Sequence, residues 1–499
     1  MLELSQRYFH PEINRIAIDE ALSLKKESLS LRTSSNWGGK LMAVPVIIGL
    51  TFGAIFSGCL CILLCRFCIY RFLPRTHVKS LSDLDLAKLL GRNVVPLEAS
   101  EAHVVLKGQI VLVTGAAGSI GSELCRQLLQ YEPASIIALD NNETGLFDLV
   151  ESLHSLKHSA CLRSYLGDIR DVQSMERLFA SEQPKIVFHA AAYKHVPMLE
   201  GHPEEALRNN AIATFHLCRL AQTYEVDRFV FISTDKAADP INILGATKRL
   251  GEIVVQSLAK SANCTTRFCA VRFGNVIGSR GSVVPVFARQ IERGGPLTVT
   301  DPAAMRYLMT IPEACGLVIL TAALADQGGL YVLDMGEPVR ILDLAIKMIR
   351  AFGLREGRDV PIVYTGLRPG ERLLETLVAE GEKLVPTLNS KIFSVKRGDD
   401  VPMLAQVTLW MLSLDEALQS ENSERLRERL FELVQVHELL RSISAILAMA
   451  KRYDVPYNYC WNGERSGSRS SYTPIASPLF EASHNGRTGD ARHTNNGSL

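Results

Sequence analysis

The chain of 499 residues has almost no excess charge of either sign. Its 54 basic and 53 acidic residues give a formal charge of +1 at pH 7. This balance creates no long-range field of the kind that attracts nucleic acid, so we predict no nucleic-acid partner. Any binding of phosphate groups must depend on local features of the chain.

The cysteines lack the spacing of a disulfide scaffold. There are 11 of them, an odd number, and four crowd into one apolar stretch: Cys59, Cys61, Cys65 and Cys68. No histidine or acidic residue accompanies these four, so we predict no metal site there and interpret them as small apolar residues in lipid. The other cysteines are scattered among predicted strands and helices, which suits a reducing cytoplasm.

Charge is also absent from residues 41–65, with the sequence LMAVPVIIGLTFGAIFSGCLCILLC. A helix of this length crosses the ~30 Å of hydrocarbon in a bilayer. A cleaved signal peptide has a shorter apolar core nearer the start of the chain. We therefore predict one transmembrane helix, with the lipid bilayer as a partner. Basic residues flank it on both sides, so they do not decide its orientation.

Short β-branched runs alternate with helical patterns after Lys107. The runs are IVLVTG, SIIALD, KIVFHAAA, RFVFIST and FCAVRFGNV. This alternation is typical of a parallel sheet with helices on both faces. We predict an α/β fold with a Rossmann-type, doubly wound sheet.

A glycine-rich segment, TGAAGSIG, follows the first of these strands and opens a helix. Gly115, Gly118 and Gly121 would allow a tight turn, close approach of the backbone to a pyrophosphate, and close packing of helix on strand. The helix N-terminus, with Ser119 and Ile120, favours phosphate charge. We predict a dinucleotide-binding site here.

Two aspartates follow later strands at positions suited to the rest of the dinucleotide. Asp140 would accept a hydrogen bond from the ribose 2′-hydroxyl and repel a 2′-phosphate, which favours NAD over NADP. Asp168, with its neighbour Ile169, would meet the adenine. Either aspartate could instead be a turn or cap residue. Ala190 and Ala192, after the strand KIVFHAAA, complete the predicted cofactor contacts.

The segment FVFISTDKAADPINILGATKRLGE carries the predicted catalytic residues. A strand brings Thr234, Asp235 and Lys236 to the carboxyl end of the sheet, where ligands of open α/β folds bind. Lys248 lies on the following helix. The alternative for Asp235 and Lys236 is an ordinary ion pair at the end of a strand.

With these residues the sequence resembles the CapD-type polysaccharide biosynthesis family, the membrane-anchored UDP-N-acetylglucosamine 4,6-dehydratases of the extended short-chain dehydrogenase type. The resemblance runs from about residue 87 to about residue 377. It rests on long motifs: KGQIVLVTGAAGSIGSELCRQLL, VFHAAAYKHVPMLE, FISTDKAADPINILGATKR, RFGNVIGSRGSVVPVFARQI, GGPLTVTDPAAMRYLMTIPEA, YVLDMGEPVRILDLA and TGLRPGERLLETL.

The resemblance implies the oxidation of C4 of UDP-N-acetylglucosamine, loss of water across C5 and C6, and return of hydride to C6. Thr234 would bond the 4-hydroxyl, Asp235 would protonate the departing 6-hydroxyl, and Lys236 would take the C5 proton. Asp235 must then be protonated and Lys236 neutral when they act. Lys248 would hold the nicotinamide ribose. Epimerases of this fold generally carry small residues in place of Asp235 and Lys236, which favours dehydration.

Substrate positions are also implied by the resemblance. Six residues match family positions or lie at the rim where sugar and nicotinamide meet: Lys194, His195, Asn275, Ser282, Arg306 and Arg368. Two arginines could neutralise a diphosphate by bidentate hydrogen bonds. A lone histidine or arginine here could equally be a packed or surface residue.

Leu244 departs from the short-chain dehydrogenase pattern, since a tyrosine normally stands four residues before the lysine and removes the hydroxyl proton. One alternative is therefore an inactive, membrane-tethered NAD-binding scaffold, and another is a nucleotide-sugar 4-epimerase. Longer, membrane-spanning relatives often carry Met at this position and are nevertheless dehydratases. They also carry several transmembrane helices and a further domain, whereas this chain keeps one span.

The predicted organisation assigns one role to each stretch of the chain. These are a polar N-terminal segment (1–40), the transmembrane helix (41–65), a basic juxtamembrane linker (66–100), the NAD(P)-binding catalytic domain (101–380) with its substrate-binding part from about 275, a helical extension (381–462) and a disordered tail (463–499). NAD and nucleotide sugars are cytosolic, so we expect a single-pass protein of the cell inner membrane with a cytoplasmic catalytic domain. We also expect a homo-oligomer.

Overall fold

The structure is a computed structural model that describes residues 86–91, 100–396, 401–420 and 422–435. Within these ranges no helix is both long and apolar enough to cross a membrane. The predicted transmembrane helix (41–65) lies outside them, as do the N-terminal segment and the C-terminal tail.

The helices are, in chain order, α1 (Leu86–Leu90), α2 (Ser100–Leu106), α3 (Ser119–Leu128), α4 (Glu143–Leu153), α5 (Val172–Glu182), α6 (Val196–Gly201), α7 (Pro203–Ala206), α8 (Ala213–Thr223), α9 (Ile243–Ala259), α10 (Val283–Glu292), α11 (Ile311–Leu324), α12 (Ile341–Ala351), α13 (Leu404–Ser420) and α14 (Ser423–Gln435). A π-helical turn, Leu207–Ile212, joins α7 to α8.

The strands are β1 (Ile110–Thr114), β2 (Ser135–Asp140), β3 (Leu162–Leu166), β4 (Ile186–His189), β5 (Arg228–Ile232), β6 (Arg267–Arg272), β7 (Asn275–Ile277), β8 (Leu297–Val299), β9 (Met305–Arg306), β10 (Leu308–Thr310), β11 (Gly329–Leu333), β12 (Val339–Arg340), β13 (Ile362–Tyr364), β14 (Lys383–Pro386) and β15 (Ile392–Lys396).

The central sheet has nine strands in the order β14-β15-β11-β6-β5-β4-β1-β2-β3. The seven from β3 to β11 pair in parallel, and the hairpin β14–β15 adds an antiparallel edge. The strand order reverses between β1 and β4, and this switch point is where open α/β sheets bind ligands, outside the carboxyl ends of the strands. The predicted Rossmann-type fold is confirmed.

The sheet separates two apolar cores because successive side chains of a strand point to opposite faces. On β1, Leu112 packs into one core, and Val111 and Val113 pack into the other. All three are fully buried. Strands buried on both faces need a continuous apolar run, which explains the sequence IVLV.

A third core lies in the part of the chain between Ile277 and Ile362. Phe287 of α10, Leu297 of β8 and Leu344 of α12 are buried together there. This smaller subdomain faces the carboxyl end of the sheet through the loop that follows β7, and it forms the second wall of the cleft described below.

The prediction that the chain turns helical from about Gly381 is wrong for β14 and β15. Ile392 and Val395 of β15 are buried beside β11, so their apolar side chains extend the sheet instead of forming a helix. Helices α13 and α14 follow the hairpin. On α14, Leu426, Leu430 and Val434 form an apolar face that is buried against the sheet domain.

A buried ion network joins three separate segments. The guanidinium of Arg272, at the end of β6, donates to Glu252 of α9 and to Glu382 just before β14, with Nε–Oε1 and Nη1–Oε2 distances of 2.6 Å each. Ser233 Oγ donates to the same Glu252 at 2.7 Å. Burial alone would raise the pKa of Glu252, but Arg272 and Arg249 outweigh burial and lower it.

Replacing Arg272 by Met should destabilise the fold strongly, because Glu252 and Glu382 would stay buried without their main cation. We expect a loss of about 3–5 kcal/mol in the free energy of unfolding, measured by urea denaturation of the full-length chain in mild detergent. As a control, Arg340→Met breaks an exposed pair with Asp343 and should leave the free energy of unfolding nearly unchanged. Equal losses in both variants would contradict the prediction.

Candidate active site

A cleft of about 1340 Å³ opens at the carboxyl end of the sheet, between the sheet and the smaller subdomain. Its walls bring together most residues that the sequence analysis selected. They include the glycine-rich loop on one side, the segment after β5 in the middle, and residues of the smaller subdomain on the other side.

The glycine-rich loop between β1 and α3 is built for close backbone contact. Gly115 has φ +69°, and a Cβ there would lie 2.6 Å from the backbone nitrogen of Ala191. A Cβ on Gly121 would lie 2.1 Å from the carbonyl oxygen of Gly115. No side chain caps the N-terminus of α3, and its first turn contains no acidic residue. The loop therefore offers free N–H groups and positive helix-dipole charge to an anion.

Seven predicted cofactor residues line this end of the cleft: Gly115, Gly118, Ser119, Ile120, Gly121, Ala190 and Ala192. Of the other four, Lys248 also lines the cleft and is described below, whereas Asp140, Asp168 and Ile169 do not line it. Asp140 accepts hydrogen bonds from the backbone nitrogens of Ala117 and Asn142, both at 2.9 Å, so its carboxylate supports the loop. A ribose hydroxyl would have to use the remaining lone pairs of Asp140, and that role stays a prediction.

Asp168 and Ile169 follow β3. The pKa of Asp168 is lowered, chiefly by its hydrogen bond to Arg170, with an Nη2–Oδ2 distance of 2.6 Å. Ile169 is buried in the core. Asp168 thus lies in a turn, as the alternative interpretation described, and also forms an ion pair with Arg170. Contact with adenine stays a prediction.

The segment after β5 forms a 3-10 turn, Asp235–Ala237, at the centre of the cleft. The fully buried carboxylate of Asp235 accepts hydrogen bonds through Oδ1 from Thr234 Oγ1 and Lys236 Nζ, both at 2.9 Å. Its Oδ2 is buried without a hydrogen-bond partner. Thr234 and Lys236 line the cleft, and Asp235 lies directly behind them. An ion pair is present, as the alternative proposed, and it borders a ligand-sized space.

Lys248 lies on α9, whose N-terminus is capped by Asn242. Its Nζ donates to the carbonyl oxygen of Ile232 at 2.8 Å and stands 4.5 Å from the centre of the Phe231 ring. Burial lowers the pKa of Lys248 to about 7, against an opposing effect of Glu252. A lysine in this state can exist in neutral or protonated form near physiological pH.

Leu244 lies one helical turn before Lys248 and also lines the cleft. It is almost fully buried. The position where short-chain dehydrogenases carry the tyrosine base therefore faces the site, and here it offers only an apolar surface.

All six predicted substrate residues line the cleft: Lys194, His195, Asn275, Ser282, Arg306 and Arg368. Asn275 Oδ1 and Ser282 Oγ are buried without a hydrogen-bond partner, which points to a polar ligand because buried polar atoms are rarely left unpaired. Burial lowers the pKa of both Lys194 and His195, and Lys194 and Arg368 lower that of His195 further.

The two arginines are held differently. Arg306 Nη1 donates to the carbonyl oxygens of Met305 and Leu373, at 2.7 and 3.0 Å. Arg368 pairs with Glu371, with an Nη2–Oε1 distance of 2.6 Å, and remains largely exposed. Both can still present N–H groups to an anion in the cleft.

Glu375 is a site residue that the sequence analysis missed. It lines the cleft, is 3% exposed, and makes no hydrogen bond to any described residue. Burial raises its pKa, while Lys236 lowers it and Asp235 raises it further, so Glu375 lies near the Asp235–Lys236 pair. Only its place within the motif TGLRPGERLLETL could have drawn attention to it.

The sheet order and the glycine-rich loop after β1 define a Rossmann-type α/β protein, with the Thr-Asp-Lys segment at the carboxyl end of its sheet. Residues 111–397 match the model of the polysaccharide biosynthesis protein family. This match covers more than half of the chain, which therefore belongs to that family.

The relatives agree with this membership and with the predicted CapD-type resemblance. The probable polysaccharide biosynthesis protein EpsC of Bacillus subtilis (strain 168) is 44% identical over 365 residues, covering 72% of this chain and 59% of EpsC. The capsular polysaccharide biosynthesis protein CapD of Staphylococcus aureus is 45% identical over 323 residues, covering 64% of this chain and 53% of CapD. The chain thus spans little more than half the length of these relatives.

A solved structure supports the fold. The X-ray structure of Pen from Bacillus thuringiensis is 31% identical and superposes with a TM-score of 0.54. The match covers 59% of this chain and 88% of Pen.

Replacing Glu375 by Gln should stabilise the protein at alkaline pH. Because the pKa of Glu375 is raised on folding, the folded state keeps a proton that the unfolded state loses just above the ordinary glutamate pKa, and stability falls as pH rises through that window. We expect the variant to melt above the parent chain at about pH 8, with a smaller gain at about pH 5. Glu428→Gln, at an exposed pair with Arg425, is the control and should show no such gain.

Proposed function

We propose that this protein is a nucleotide-sugar 4,6-dehydratase that converts UDP-N-acetylglucosamine to a UDP-4-keto-6-deoxy-N-acetylhexosamine for polysaccharide biosynthesis. The observation that carries the proposal is the ion pair between Lys236, which lines the cleft, and Asp235, which is buried directly behind it. An elimination of water needs an acid for the leaving hydroxyl and a base for the carbon-bound proton, and this pair can supply both.

The hydrogen bond between the two residues provides a path for the proton transfer that the reaction requires. One proton moved from Lys236 Nζ to Asp235 Oδ1, along the 2.9 Å contact, turns an ion pair into a neutral amine and a carboxylic acid. The amine on the cleft wall is then ready to take the C5 proton. The acid is ready to protonate the departing 6-hydroxyl, and Oδ2 of Asp235 is its one oxygen without a hydrogen-bond partner. Thr234, beside them, bonds the 4-hydroxyl, whose proton would leave to solvent as C4 is oxidised. Lys236 would return its proton to C5 when hydride reaches C6, and a proton from solvent would then restore the ion pair.

The cofactor in this proposal is NAD. Its pyrophosphate suits the glycine-rich loop, where a Cβ on Gly121 would clash with the backbone. Bound NAD would supply reversible hydride transfer. Lys248 would hold the nicotinamide ribose, since its ammonium is fixed beside the cleft. Asp140 favours NAD over NADP in this proposal because a carboxylate repels a 2′-phosphate.

The nucleotide-sugar would lie along the smaller subdomain. Arg306 and Arg368 supply positive charge for a diphosphate, and Asn275 and Ser282 supply unpaired polar atoms for its nucleoside or sugar. Lys194 and His195, at the rim, would meet the sugar.

The same proposal includes the membrane. Residues 41–65 would anchor the chain in the cell inner membrane by a single pass, with the catalytic domain in the cytoplasm where nucleotide sugars are found. We also propose a homo-oligomer.

Incubation of the full-length chain, in mild detergent, with UDP-N-acetylglucosamine and NAD should give a product lighter by one water. NAD should not be consumed overall, because the hydride removed from C4 is returned to C6. Mass spectrometry and NMR of the product test this. A C4 epimer of unchanged mass would favour an epimerase, and no conversion with NAD still bound would favour an inactive scaffold.

Two substitutions test the acid–base pair. Asp235→Asn and Lys236→Ala should each cut turnover by at least about a hundredfold, the lower end of what general acid–base catalysis contributes. Leu244→Met is the matched control: the two side chains have similar volumes, and such exchanges usually cost below about 1.5 kcal/mol of stability, so turnover should be nearly unchanged. NAD affinity, measured by calorimetry, should survive all three. Turnover at the parent rate in both catalytic variants would refute the assignment.

A further inference from the structure

One loop of the smaller subdomain touches the glycine-rich loop directly. The loop, residues 278–282, follows β7 and leads into α10. The backbone nitrogen of Arg280 donates to Ser119 Oγ at 3.0 Å, and Arg280 Nη1 donates to the carbonyl oxygen of Ala117 at 2.7 Å. Arg280 therefore reaches across the cleft to the predicted phosphate site.

The charges around Arg280 are unbalanced. Its guanidinium makes no ion pair with any described residue, and its side chain donates only one of its five N–H groups within that part of the chain. It lies beside the N-terminus of α3, which has neither an acidic residue in its first turn nor a side-chain cap. The carboxylate of Asp140 accepts hydrogen bonds from the backbone nitrogen of Ala117, in the glycine-rich loop, and from that of Asn142. The guanidinium of Arg280 and the positive N-terminus of α3 thus lie together at the cleft wall, where a bound anion would stabilise both.

The loop that carries Arg280 also contacts the sugar rim. Lys194 Nζ donates to Ser279 Oγ at 3.5 Å, and a Cβ on Gly281 would lie 2.6 Å from the His195 ring. Gly281 has φ +71°, which favours glycine, so the loop can pass close to His195. A change at Arg280 would therefore be transmitted to the residues that face the sugar.

We propose that Arg280 binds the diphosphate of the dinucleotide and thereby couples cofactor binding to the substrate side of the cleft. The inference rests on the proposed NAD site and adds a residue from the opposite wall. Its remaining N–H groups can form charge-assisted hydrogen bonds with phosphate oxygens, while Nη1 stays on Ala117. Cofactor binding would then hold the 278–282 loop, with Lys194 and His195, in place for the nucleotide-sugar.

The test compares the full-length parent chain in mild detergent with Arg280→Gln, using Arg289→Gln as the matched control. Arg289 is an exposed arginine on α10, away from the cleft lining. Calorimetric titration with NAD should show affinity weakened by more than about tenfold in Arg280→Gln, as expected for a lost hydrogen bond between charged groups. The control should match the parent.

Salt dependence separates a phosphate ligand from a loop anchor. If Arg280 contacts the diphosphate, the NAD affinity of the parent should fall more steeply with salt than that of Arg280→Gln, because one charge pair is missing from the variant. Unchanged NAD affinity in Arg280→Gln would overturn the inference. Weaker affinity with the parent's salt dependence would also overturn it, since Arg280 would then only position the loop.

A second titration measures the coupling. In the parent chain, saturating NAD should strengthen the binding of UDP, and linkage requires UDP to strengthen NAD binding by the same factor. Arg280→Gln should lose most of this factor, and a factor equal to the parent's would overturn the coupling. A parent chain that binds no NAD refutes the proposed cofactor itself, which is a different result from a variant that binds as well as the parent.

Discussion

The buried guanidinium of Arg272 is the constraint on which the arrangement of the site depends. It holds together the end of β6, the middle of α9 and the segment before the C-terminal hairpin, through Glu252 and Glu382. Glu252 lies one helical turn after Lys248. It also accepts a hydrogen bond from the hydroxyl of Ser233, the residue before Thr234. A buried ion pair adds little net stability, but its directional hydrogen bonds make one arrangement of these segments much better than others.

The cleft, by contrast, holds polar groups that the fold leaves unpaired. Asp235 Oδ2, Asn275 Oδ1 and Ser282 Oγ are buried without partners. Each such group costs stability in the free protein. A polar ligand recovers that cost, so the unpaired atoms mark where binding energy is available. The hydrogen-bonded ion network around Arg272 therefore fixes the fold, whereas the unpaired polar atoms of the neighbouring cleft are available to bind a ligand.

Much of this site was predictable because its chemistry is carried by short motifs at the ends of strands. The glycine-rich loop, Thr234 and Lys236 lie within a few residues of a strand end, and parallel strands bring their carboxyl ends to one edge of the sheet. The same reasoning failed for residues 383–396, which were expected to be helical. Those residues form strands because β11 offers a free edge and buries their apolar side chains, which local pattern does not reveal.

The sequence by itself determined the fold class, the glycine-rich loop and the position of the Asp235–Lys236 pair, because hydrophobic period and glycine placement are local properties. Only the tertiary structure decided which groups share a space. Asp235 lies behind Lys236, and the carboxylate of Asp140 accepts a hydrogen bond from the glycine-rich loop. Glu375 and Arg280 reach the cleft from distant parts of the chain. Those relations depend on how the smaller subdomain packs against the sheet, and the burial and pairing of a charged side chain follow from that packing and not from its neighbours in sequence.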